Sequence, residues 1–99
     1  MKLAEFKASV AAAEPPENLS GPLCALWHDA RGAWDTAHEI LQDESDPDGC
    51  WVHAYLHRVE GDEDNAGYWY KRAERPHCTD ALVDEWDAVA AELLQKAGS

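Results

Sequence analysis

The sequence predicts an all-α fold, a short α-solenoid-like array of two helical hairpins flanked by an N-terminal and a C-terminal capping helix. Three observations predict it. Apolar residues recur at helical spacing along most of the chain, strand signals are absent, and Gly, Pro, Ser and Asp punctuate the sequence at helix-sized intervals. With 99 residues the chain has material for one hydrophobic core and not for two, so residues 1–99 are read as a single helical-repeat domain.

Helix one spans residues 2–14, where Leu3, Phe6, Val10 and Ala13 share a face and Pro15 and Pro16 forbid continuation. Hairpin one covers residues 20–44. Ser20 is an N-cap ahead of PLCALWHDAR, and Gly32 is a left-handed stop before AWDTAHEILQDE begins the second arm. Hairpin two covers residues 46–75: Asp46 caps, Pro47 is preorganised for the first helical position, and Gly61 and Asp62 repeat the stop and cap before NAGYWYKRAE runs to Pro76. A capping helix over residues 79–97 begins near Thr79 or Asp80. Its Leu82, Val83, Trp86, Val89, Ala90, Leu93 and Leu94 form one apolar stripe.

Sliding residues 21–42 against 50–71 pairs Ala25 with Ala54, His28 with His57, Gly32 with Gly61, Asp35 with Asp64 and Ala37 with Ala66. These identities, at an offset of 29, mark a duplicated hairpin. Alanines let the two arms approach closely, and the glycines supply the turn.

GDEDNAGYWYKRA, from Gly61 to Ala73, resembles the second half of a tetratricopeptide repeat, and its YWYKRA portion is especially similar to the Sel-type variant. RGAWDTAHEILQ resembles the same half more loosely, with Gly32, Trp34, Ala37 and Leu41 in the positions of Gly61, Glu63, Ala66 and Tyr70. The resemblance covers residues 21–76. It departs from the family in its spacing of 29, against about 34, and in lacking the leading Trp, Leu and Tyr of the first helix. HAYLHR with the following EGD, NA and YWY also resembles small bacterial proteins of no assigned function, a likeness that implies no activity. The repeat resemblance implies stacked helix pairs, Trp34 and Tyr70 in the core, and the first and last helices covering the two ends.

Twenty acidic residues against eight basic ones give a net charge of -12, which repels a phosphate backbone and excludes nucleic acid as an expected partner. No apolar run reaches the roughly 20 residues of a membrane span, so no membrane partner is expected and the location is read as cytoplasmic. The odd number of cysteines, Cys24, Cys50 and Cys78, suits free thiols in a reducing compartment.

Two functional readings follow. In the first, the protein is a noncatalytic adaptor for a protein or peptide, one with basic character. Trp51, Tyr55 and Arg58 stand at i, i+4 and i+7 on a face that, in repeat arrays, lines the partner-binding surface. Tyr68, Lys71, Arg72 and Arg75 add a small basic and aromatic patch, and Tyr68 and Arg72 join the partner-binding set. The alternative is a transition-metal-binding or sensing protein. His53 and His57 lie one turn apart, and Cys24 and His28 occupy the equivalent positions one repeat earlier, a donor set suited to Zn or Cu. The competing reading of these histidines is packing between helices. Cys50 near a helix start, with His53 one turn on, raises a reactive thiol that Asp46 and Asp48 oppose. No HExxH, phosphate loop or nucleophile elbow is present, so catalysis is not expected.

Overall fold

The computed structural model describes residues 1–97, and these form six helices with no strand among them. They are α1 (Leu3–Ser9), α2 (Gly21–Ala30), α3 (Trp34–Leu41), α4 (Pro47–Val59), α5 (Glu63–Ala73) and α6 (Leu82–Ala97).

The starts of α2, α4 and α5 follow the expected caps. Leu23 N–H donates to Ser20 Oγ at 3.3 Å, Gly49 N–H to Asp46 Oδ1 at 3.3 Å, and Asn65 N–H to Asp62 Oδ1 at 3.2 Å. The stops follow the expected glycines: Gly32 and Gly61 have φ of +79° and +86°. The bonds closing the two ends are equivalent at the same offset of 29, with Ala33 N–H donating to His28 O and Asp62 N–H to His57 O, each at 2.9 Å. α5 ends without a glycine. Glu74 takes the left-handed conformation at φ 58°, which ends the helix before Pro76 can obstruct it.

Three boundaries differ from the expectation by three residues or more, and one is the end of α3, at Leu41 and not at residue 44. α1 stops at Ser9 because the chain tightens there into three-residue turns, Val10 N–H to Lys7 O and Ala12 N–H to Ser9 O. Arg31 then captures the freed carbonyls of Val10, at 2.6 Å, and Ala12. α6 begins at Leu82, and its buried stripe runs from Trp86 onward, whereas Leu82 and Val83 are exposed.

α2 packs chiefly against α3 and α4 against α5, as two hairpins, and α3 also adjoins α4. Ala25, Ala37, Ala54 and Ala66, the paired alanines of the duplication, are all fully buried. The outer helices do not cover opposite ends of the hairpins. α6 lies across both α2 and α4, and α1 packs on α6. Trp86 Nε1–H donates to Leu26 O at 3.1 Å, and the Trp86 ring stacks on Phe6 at 5.6 Å. Arg58 Nη1 donates to the buried Glu85 carboxylate at 2.7 Å, which also accepts from the Tyr70 hydroxyl. The physical reason is apolar area: a sixteen-residue amphipathic helix buries more of it against two helices than against the end of one hairpin.

Candidate metal centre

α6 occupies the face expected to receive a partner. Trp51 and Tyr55 are 8% and 4% exposed and belong to the core. The Arg58 side chain is committed to Glu85, and its Nη2 donates to Asp80 O at 2.7 Å. The aromatic stripe on α4 is therefore packing, because the C-terminal helix of the same chain takes that surface. Tyr68 and Arg72 are exposed, with Arg72 donating to the Tyr68 hydroxyl at 3.4 Å and lying over the Trp69 ring.

The opposite side of α4 carries the concentration of nitrogen donors. His53 and His57 project from it one turn apart and are 4% and 5% exposed. The third imidazole is His38 on α3, the helix adjoining α4. One donor nitrogen from each of His38, His53 and His57 lies within 4.8 Å of the others. His38 Nε2 and His53 Nε2 are 3.1 Å apart. Two nitrogens on one tetrahedral zinc, bound at about 2.0 Å, stand about 3.4 Å apart. The His38–His53 pair is thus already at coordination spacing, and the widest pair would close by roughly 1.4 Å at most to reach it.

Tryptophans hold the rings in place. Trp69 of α5 stacks on His53 at 3.8 Å, and Trp34 of α3 stacks on His38 at 4.9 Å. Trp34 is fixed in turn by its Nε1–H, which donates to Leu56 O at 2.7 Å. His57 Nδ1 lies 2.5 Å from Glu60 Oε2, so the carboxylate accepts the Nδ1 proton and leaves Nε2 with its lone pair. This pairing of a carboxylate with the outer nitrogen of a ligating histidine is the usual device for setting tautomer and ring angle.

Burial, followed by the neighbouring His57 and His38 rings and by Arg72, pulls the His53 pKa down to about 4. His53 is therefore neutral near pH 7 and able to donate a lone pair. Its Nδ1 is buried and has no hydrogen-bond partner among the described residues. In the ion-free protein one of the two facing Nε2 atoms must carry a proton and donate it to the other.

Of the expected ligand set, His53 and His57 come together, and Cys24 and His28 do not join them. Both stand half-buried on α2, and His28 meets the edge of its neighbour Trp27. The duplication pairs α2 with α4, but the helices that meet the His53 side of α4 are α3, through His38, and α5, through Trp69. His38 escapes the repeat comparison because its partner at the offset of 29 is Gly67. Its spacing of four from Trp34, beside the small interface residue Ala37, is the signal that places it on the α4-facing side. Burial pushes the thiol pKa of all three cysteines up, which opposes the reactive-thiol reading of Cys50. No helix among the described residues is long and apolar enough to cross a membrane. No family model, curated protein or solved structure matches the chain, so the repeat resemblance rests on its residues alone.

Proposed function

We propose that this protein binds a transition-metal ion, Zn or Cu, through His38, His53 and His57. The observation that carries the reading is the convergence of three imidazole nitrogens from two helices, two of them on nearly buried rings, at separations close to those of a coordination sphere. Imidazole is a suitable ligand for both ions. Glu60 supplies the outer carboxylate, and a fourth position is left for water or a donor from elsewhere.

The role is holding or sensing the ion. Partner binding through Trp51, Tyr55 and Arg58 loses its support, since α6 covers them.

Protein purified without a histidine tag and stripped with chelator should gain thermal stability with Zn(II) or Cu(II), because an ion that binds only the folded state at 100 times its Kd adds about 2.7 kcal/mol. Trp69 and Trp34 fluorescence should change in the same titration. His38→Ala should remove both responses, whereas Cys24→Ser with His28→Ala should retain them. No shift at saturating metal would return the three histidines to a packing role.

A further inference from the structure

A second site stands apart from the histidines. α1, α2, α4 and α6 enclose an open cavity of about 370 Å3. Tyr55 and Trp86 form its aromatic wall, and Val10, Ala30 and Val83 add apolar surface. Its volume is at the lower end of those that take small molecules.

The cavity holds three charged groups. Two neutralise each other: Lys7 Nζ lies 3.2 Å from Asp87 Oδ1. The third, Asp29, is half-buried, and its hydrogen-bonding partner is the Tyr55 hydroxyl. Among the described residues no Lys, Arg or His forms an ion pair with it. Burial pushes its carboxyl above the ordinary value, against the opposing hydrogen bond from Tyr55. Tyr55 is itself pushed well above its usual range, by burial and then by Asp29, so its hydroxyl keeps its proton and can donate. A carboxylate beside an apolar, aromatic wall and without a cation lacks the partner that burial of charge calls for.

We propose that this cavity binds a small organic ammonium ion carrying an aromatic or branched aliphatic body. The ammonium group donates to Asp29, while the body lies against Tyr55, Trp86 and Val83. An anionic ligand is disfavoured, since Lys7 is already paired and the chain carries a net charge of -12.

Calorimetry on the full chain, with chelator present to silence the metal site, can compare phenethylamine, 3-phenylpropionate and 3-phenylpropanol. The amine should bind at least about tenfold more tightly than the acid or the alcohol, and Asp29→Asn should weaken it by about tenfold or more. Val83→Lys, at a position 64% exposed, should also weaken the amine by placing a like charge at the mouth, with the helical circular dichroism unchanged. Equal binding of all three compounds, no binding of the amine, or an unaltered amine affinity in Asp29→Asn would overturn the proposal. So would binding of a lysine-containing peptide in the absence of any binding of the free amine.

Discussion

His53 is a neutral imidazole pressed between Trp69 and two further imidazoles, and its protonation has no favourable place to go. Its folded pKa, about 4, lies below the roughly 6.5 of an unfolded chain. Above pH 6.5 both states are neutral and the group contributes nothing to pH dependence. As the pH falls from 6.5 toward 4 the unfolded chain takes up a proton that the folded protein refuses, so stability falls. The loss reaches about 2 kcal/mol at pH 5 and roughly 3 kcal/mol at pH 4. Urea unfolding of metal-free wild type and His53→Gln at pH 7 and pH 5 checks this: the variant should lose about 2 kcal/mol less than wild type over that interval. His53 and His57 were legible as a pair from their spacing, because a separation of four puts two side chains on one helix face whatever the tertiary structure does. His38 was not, since only the packing of α3 on α4 brings it to them.

At the scale of the element, the hairpin turns and α6 make contrasting demands. Gly32 and Gly61 hold φ values that side-chain-bearing residues avoid, yet a Cβ at either would meet no atom within 4 Å. Gly32→Ala and Gly61→Ala should therefore cost the backbone term alone, about 1 to 2 kcal/mol each in denaturant titration, and the two costs should be alike. These turns and the Ser20, Asp46 and Asp62 caps were readable because each is decided within a few residues. α6 is decided by what it covers. Glu85 joins Arg58 and Tyr70 inside the molecule, although it reads in the sequence as one more acid on an acidic helix. Glu85→Ala should destabilise by about 3 kcal/mol, since it leaves a nearly buried guanidinium without its carboxylate. The same contact explains why the stripe of Trp51, Tyr55 and Arg58 read as a partner surface: the sequence marks a face as recognition-like, and the partner turned out to be the chain's own last helix.

Across the whole molecule the balance of charge is one-sided. Lys7, Arg58, Arg75 and Lys96 are held by carboxylates and Arg31 by carbonyls, so the acids that remain repel one another. The melting temperature should rise between about 10 and 300 mM NaCl as screening weakens that repulsion, and a fall would show that the ion pairs outweigh it. The closure of α1 on α6 has a further consequence, in the order of assembly. The hairpins join residues close in sequence, whereas Lys7 and Asp87 are separated by 80 positions. The entropy of closing so long a loop delays the terminal contact until the hairpins exist to receive α6. α1, seven residues held chiefly through Phe6, is then the last piece on and the first off. In native-state hydrogen exchange its amides should lose protection well before those of α4, and the unit that opens with them sets the rate at which the buried Phe6 ring leaves Trp86 and meets water.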